Sequence, residues 1–387
     1  MKKRLGKALL TTSLVCAMTF GLAACGTTGD AGSTASGNES TSAGTKAESV
    51  SSGSGASGSS DIFIACSMPT TGNARFVTDD GLFKDYCEEK GYKYTSQFAE
   101  ADVATQIEQI EGFISQGVDA IIVNPVDGSG IVSAINKAKD AGIKIVSFDR
   151  MVMDTPIDYY ATFDNVGVGR CDGQYIVDKL DLENTDKTYN IELFTGDVGD
   201  NNAKLTFDGA MEVLQPYIDS GKLVVQSGQV EFDQVTTKDW DSGNAQTRME
   251  NILSSYYQDK NLDVVMTTYT NLSLGAITAL KAAGYGTEDK PLPITTGQDA
   301  EIAAVKSMLA GEQTMSVFKD DRVLCPIAVD MAVAAVKGED YPVNDTTTYD
   351  NGSGPLKTYL GEVQTFDLDN IQEVLFDSGY LSEDDLK

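Results

Sequence analysis

The chain has 387 residues, 29 of them Lys or Arg and 58 Asp or Glu, giving a formal net charge of −29 with no histidine at all. So acidic a surface repels nucleic acid and anionic membranes, and without imidazole the commonest general base and metal ligand are missing. Ser-His and Cys-His hydrolases and histidine-built zinc sites are thereby excluded.

Lys2, Lys3, Arg4 and Lys7 open the chain, an apolar run follows over 8–22, and Leu22-Ala23-Ala24-Cys25 closes it. A basic start, a short apolar segment and small residues before a cleavage point make a secretory signal rather than a membrane span. The small-small-Cys ending predicts lipoprotein processing: residues 1–24 are removed and Cys25 carries lipid on its sulfur, anchoring the protein at the extracytoplasmic face of the cell membrane. Residues 25–60 are almost wholly Gly, Ser, Thr and Ala, which cannot bury a core and read as a flexible tether averaging about 30 Å end to end. Processing leaves 25 basic against 58 acidic residues, a net charge of −33. Of six cysteines, Cys16 departs with the signal. Cys66, Cys87, Cys171 and Cys325 lack C-x-x-C spacing and read as buried thiols, with any disulfide unassignable from spacing.

The 327 residues from Asp61 onward suffice for two cores. Strands are predicted at 62–66, 92–98, 120–123, 144–148 and 159–163, alternating with helices at 76–90, 104–116 and 131–141. In the second of these helices Ile107, Ile110 and Ile114 share one face. The rhythm resumes with helices at 166–180, 203–214, 245–257 and 274–283 and strands at 190–194, 223–226, 264–267 and 294–296. Strand-helix alternation with short connections forces parallel neighbours and right-handed crossovers. The expected class is α/β, as two similar doubly wound parallel-sheet lobes.

Ligands of such sheets bind beyond the carboxyl ends of strands. Those positions hold Arg75 and Phe76, Asp149-Arg150, Asn165, Asp200 and Asn202, Tyr269-Thr270-Asn271, Gln298-Asp299 and Phe318-Lys319-Asp320. A monosaccharide presents hydroxyls that both donate and accept, and apolar C–H faces. It calls for carboxylates, amides, guanidinium forks and flat rings, and Phe76 and Trp240 are the candidate stacking faces. Asp197 with Asp200 lacks the ligand spacing of a calcium loop and reads as a turn and helix cap, and no metal or other cofactor is expected.

These residues carry a resemblance to the periplasmic sugar-binding proteins of ABC importers, most nearly the multiple-monosaccharide ChvE type and the D-xylose-binding type. The matching stretches are 68–81 (MPTTGNARFVTDDG), 106–117, 145–151 (IVSFDRM), 159–165 (YYATFDN), 190–204 (NIELFTGDVGDNNAK), 217–224, 297–301 (GQDAE), 311–319 and 343–349. The resemblance implies a type I periplasmic binding protein fold joined by a three-strand hinge. One lobe would hold 61–164 plus 299–319 and the other 165–298 plus 320–387, with crossings near 163–166, 296–299 and 318–321. It implies that Arg75, Phe76, Asp149, Arg150, Asn165, Asn202, Trp240, Asp299 and Lys319 line the sugar cleft, in a monomer delivering its ligand to ABC permease subunits. Phe76 stands where the relatives carry tryptophan and Thr270 where they carry aspartate. The alternatives are a sensor that passes sugar occupancy to a membrane kinase or chemoreceptor, and a glycosidase using Asp149 and Asp299. Two neighbouring arginines oppose the latter, because a general acid needs a raised pKa.

Overall fold

The computed structural model describes residues 61–387; the expected signal 1–24, the expected lipidation at Cys25 and the expected tether 25–60 lie outside the described residues. The chain runs β1 (Phe63–Met68), α1 (Ala74–Lys90), β2 (Lys93–Phe98), α2 (Val103–Gln116), β3 (Ala120–Val123), α3 (Val132–Asp140), β4 (Lys144–Phe148) and β5 (Tyr159–Phe163). It continues with α4 (Asn165–Lys179), β6 (Tyr189–Phe194), α5 (Asn201–Asp219), β7 (Leu223–Val224), α6 (Phe232–Val235), α7 (Ser242–Tyr256), β8 (Val264–Thr267), α8 (Thr270–Ala282) and β9 (Ile294–Thr295). Last come α9 (Ile302–Leu309), β10 (Met315–Lys319), α10 (Asp321–Lys337), β11 (Thr358–Gly361) and β12 (Val363–Asp367).

Two parallel sheets result, as the alternation requires. The first has the order β11-β5-β4-β3-β1-β2 and the second β7-β6-β8-β9. Central strands such as β3 (AIIV) are buried at every position, the signature of a strand covered on both faces. The Val317 N–H donates to the Gly297 carbonyl at 2.8 Å and the Asp299 N–H to the Val317 carbonyl at 2.9 Å, so β10 runs beside the extension of β9. β12 then pairs antiparallel with β10. Helix starts follow local chemistry: Asn73, Asp102, Asp164, Asp200, Asp241 and Asp320 each cap a helix by accepting a backbone N–H.

The chain passes between the sheets after β5, again over Lys319–Asp321, and finally between β11 and β12. The expected crossing near 296–299 is therefore replaced by one at Gly361–Val363. The expected division is also corrected: 299–319 accompany the second sheet, whereas α10 and β11 belong to the first. Leu324, Ala328, Val329 and Ala332 of α10 sit in one core with Ile64, Phe83 and Phe148. β11 pairs in parallel with β5. It can approach because Gly361 has no side chain: a Cβ there would lie 2.6 Å from the Phe163 ring. A four-residue strand without alternating polarity carries no local sign of its partner.

Each sheet reverses its strand order once, between β1 and β3 in the first and between β6 and β8 in the second. The carboxyl ends of those strands face a common cleft, as expected at such switch points.

Candidate functional site

Residues following five strands and the last residue of a sixth meet in this cleft. Its wall is formed by Asn73, Arg75 and Phe76 after β1, Asp149 after β4, Asp200 and Asn202 after β6, Tyr269 after β8, Gln298 and Asp299 after β9, and Lys319 ending β10, with Trp240 from the segment before α7. The cavity between them is about 30 Å³, well below the range of ligand clefts, so its walls stand close together in this structure.

Charged groups dominate the wall, and they are paired. Arg75 donates from Nη1 to Asp149 at 3.2 Å and from Nε and Nη2 to both oxygens of Asp321 at 3.0 and 2.9 Å. Lys319 Nζ lies 2.9 Å from Asp299, and Arg150 Nε lies 2.8 Å from Asp200. Burial alone pushes the Asp149 carboxyl up, but Arg75, Lys319 and Arg150 outweigh it and hold it below the ordinary carboxylate range. At Asp200 burial prevails and the carboxyl is raised, with Arg150 offsetting only part of the effect. Three cations facing Asp149, Asp200 and Asp299 leave the wall close to neutral.

Flat rings flank the charges. Phe76 is buried beneath the guanidinium groups of Arg75 and Arg150, which stand 5.9 and 5.4 Å from its centroid. Across the cleft Trp240 meets Tyr269 edge to face with centroids 5.7 Å apart, and the indole N–H donates to Asp200 at 3.1 Å. The indole fits because residue 196 is glycine: a Cβ there would lie 2.0 Å from the ring. Asp149, Asp239, Trp240 and Asp299 all adopt left-handed backbone with φ of 58°, 58°, 54° and 78°. Asp149, Trp240 and Asp299 line the cleft and Asp239 adjoins Trp240; backbone of this kind recurs at ligand clefts, and aspartate tolerates it better than most residues.

Of the residues expected to line the site, Arg75, Phe76, Asp149, Asn202, Trp240, Asp299 and Lys319 share the wall. Arg150 stands at its edge, over Phe76 and against Asp200. Asn165 is one layer behind: its Nδ2 donates to Asn202 Oδ1 at 3.0 Å, and Asn202 in turn donates to the Asp149 carbonyl at 2.9 Å. Thr270 is not on the wall; it is fully buried and Tyr269 takes its place. The Thr270 N–H donates to the Gln298 carbonyl at 3.2 Å, and the glycine at 297 lets the two backbones pack this closely. The Thr270 hydroxyl is buried without a hydrogen-bond partner.

Sequence reasoning missed Asp321 and Asp79. Asp79, one helical turn beyond Arg75, is fully buried with neither carboxylate oxygen hydrogen-bonded and lies 3.7 Å from Arg75 Nε. Burial and then Asp321 push its carboxyl well above the usual range. The i,i+4 spacing of Arg75 and Asp79 was visible in the sequence; the pairing of Arg75 with Asp321, 246 residues apart, was not. Beside the cleft, Glu301 accepts from the Tyr269 hydroxyl at 2.8 Å. Burial and the nearby Asp299 raise its carboxyl to about 7.

Residues 64–340 match the family described as "Periplasmic binding protein domain". The chain is 45% identical over 325 residues to the multiple sugar-binding periplasmic protein SbpA of Azospirillum brasilense, covering 84% of this chain and 91% of SbpA. It is 43% identical to the multiple sugar-binding periplasmic receptor ChvE of Rhizobium radiobacter, covering 84% and 92%. Among solved structures, an ABC transporter solute binding protein from Clostridium phytofermentans with bound β-D-glucose superposes with a TM-score of 0.81 at 43% identity, covering 84% of this chain and 100% of that one. A carbohydrate transporter solute binding protein from Chloroflexus aurantiacus in complex with D-glucose gives 0.76 at 30% identity, covering 84% and 98%. Matched along most of the folded part in sequence and superposed on relatives of the same two-sheet architecture, this chain belongs to the periplasmic binding protein family.

Proposed function

We propose that the chain binds a neutral monosaccharide, an aldopentose or aldohexose, in the cleft between its two sheets and delivers it to the permease of an ABC importer. The observation that carries this reading is the set of neutralised pairs Arg75–Asp149, Arg150–Asp200 and Lys319–Asp299 standing between Phe76 and the Trp240–Tyr269 face. Two Arg75 N–H groups remain uncommitted, and the Gln298 amide oxygen is buried without a partner, so hydroxyls of a sugar ring find both donors and acceptors. A wall already close to neutral offers no excess positive charge to a sugar acid or phosphate.

The sheets with their helices act as two lobes that close on the sugar, with the three crossings as the hinge. Arg150–Asp200 and Asn202–Asp149 are the ties that closure makes. The protein works as a monomeric binding protein and not as an enzyme. The glycosidase alternative takes Asp149 as one of its carboxylate pair, and a glycosidase acid needs a raised pKa, whereas Asp149 is held low by its cations. Lipid on Cys25 anchors the protein at the membrane; no described helix is long and apolar enough to cross one. In cells fed labelled palmitate, Cys25→Ser is expected to abolish label and move the protein from the membrane to the soluble fraction; unchanged partitioning would remove the anchor from this reading.

A thermal-shift screen tests the site. Glucose, galactose, xylose, arabinose, ribose and fucose are compared with glucuronate and glucose 6-phosphate. At least one neutral aldose raises the melting temperature by mass action, by about 2.7 kcal/mol of stability at a hundredfold excess over Kd, and the two anions do not. Failure of every neutral aldose to shift the transition would sink the reading.

A further inference from the structure

We infer that Asp321 is a positioning residue for the sugar site, setting the direction of the free Arg75 donors and linking them to the Lys319–Asp321 crossing. The inference rests on the monosaccharide reading above.

Asp321 is 2% exposed and does not line the cleft; it lines the adjoining cavity, which shares Arg75, Asp299 and Lys319, so within the cleft it acts through Arg75. It takes Arg75 side-on: Nε at 3.0 Å and Nη2 at 2.9 Å each meet one of its oxygens. A guanidinium is a rigid planar fork with five N–H groups. Once two neighbouring donors are held in the carboxylate plane, the orientation of the others follows. One of these meets Asp149 at 3.2 Å on the cleft wall, leaving two for a ligand.

Asp321 also has a competitor, which makes its role necessary. Asp79 lies 3.7 Å from Arg75 Nε, one turn along the same helix and fully buried, with no hydrogen bond of its own. Without the Asp321 carboxylate the guanidinium has a waiting partner on the side away from Asp149. Arg75 then swings toward Asp79, and its free donors leave the cleft.

Asp321 is the first residue of α10 and sits two positions beyond Lys319, where the chain leaves β10 for the core of the first sheet. Asp320 between them caps α10 and pairs with Arg322 at 2.7 Å, fixing the local backbone. A three-residue crossing therefore supplies one cleft cation, Lys319, and the anion that aims another, Arg75. Any change in the path of this crossing moves both cations together.

The test uses Asp321→Asn in the full-length chain with D-glucose and its monodeoxy analogues, by calorimetry. D-Glucose affinity is expected to fall at least tenfold. For the one analogue lacking the hydroxyl that Arg75 holds, wild type and variant are expected to bind within threefold of each other, while for the other analogues the tenfold gap persists. A purely structural loss would weaken every analogue equally, and that result, or wild-type D-glucose affinity in the variant, overturns the inference alone. If Asp321→Asn does not fold, Asp321→Glu shifts the carboxylate by one methylene and is expected to give the same analogue-selective loss. A wild-type chain that binds no neutral aldose overturns the functional reading and this inference with it.

Discussion

Arg75→Met is expected to abolish measurable sugar binding and to destabilise the fold by about 3 to 5 kcal/mol, the usual cost of removing one partner from a buried ion pair. The guanidinium is buried among Asp149, Asp321 and Asp79, with pair distances of 3.2, 2.9 and 3.7 Å. Methionine fills much of the same volume but leaves these carboxyls without their common cation. The pH dependence distinguishes this cause from lost packing. In the wild type the Asp149 carboxyl is held below its unfolded value, so its contribution is present above about pH 4 and is lost as pH falls through the folded value. In the variant, burial acts on Asp149 with far less opposition and its folded value rises above the unfolded one, while Asp321, which burial already raises in the presence of Arg75, rises further. Stability then declines as pH climbs past about 4. The deficit should be largest at neutral pH and shrink toward pH 4, as read by melting curves at pH 4, 5 and 7. An equal deficit at all three would show that charge is not the cause.

Gly169→Ala should destabilise by about 1 to 3 kcal/mol, the range for overpacking a close-packed contact. Helix propensity alone argues the opposite, since alanine in a helix is favoured over glycine by about 1 kcal/mol. Packing decides the sign. A Cβ at Gly169 would lie 1.9 Å from the Thr206 carbonyl oxygen and 2.7 Å from the Ala210 nitrogen, and one at Gly209 would lie 2.1 Å from the Val166 carbonyl oxygen. The obstacles are helix backbone, which cannot rotate away, so α4 and α5 must separate. Their first turns hold Asn165 and Asn202, whose 3.0 Å hydrogen bond supports the cleft wall. Sugar affinity should therefore fall together with melting temperature. Gly112→Ala is the control: it lies in α2 with nothing within 4 Å of the added methyl, and it should leave stability unchanged or slightly raised. If Gly169→Ala behaves like Gly112→Ala, the α4–α5 contact is looser than the geometry indicates.

Much of the site was legible because an α/β fold makes position along the chain equivalent to position in space. Helical periodicity and short apolar strands are local, and each strand-to-helix turn delivers its first polar residues to the same edge of the sheet. Arg75, Phe76, Asp149, Asn202, Asp299 and Lys319 could therefore be read as one set from their places along the chain, and strands such as β4 and β5 matched their predicted limits. The Asp200 cap was legible for the same reason, since a cap is satisfied within three residues.

Adjacency to a strand end says nothing about which way a side chain turns, and that depended on distant contacts. Thr270 is buried off the wall with its backbone packed on Gly297, and Asn165 stands behind Asn202 where α4 and α5 meet at glycines.

What the sequence by itself determined were the units, strands, helices, caps and polar strand ends, because their causes lie within a few residues. Only the tertiary structure decided that β11 joins the first sheet, that β10 leaves it, and that Asp321 grips Arg75. Those outcomes depend on which edges, cores and charges meet across hundreds of residues, where burial makes each pairing strong and no local pattern announces it.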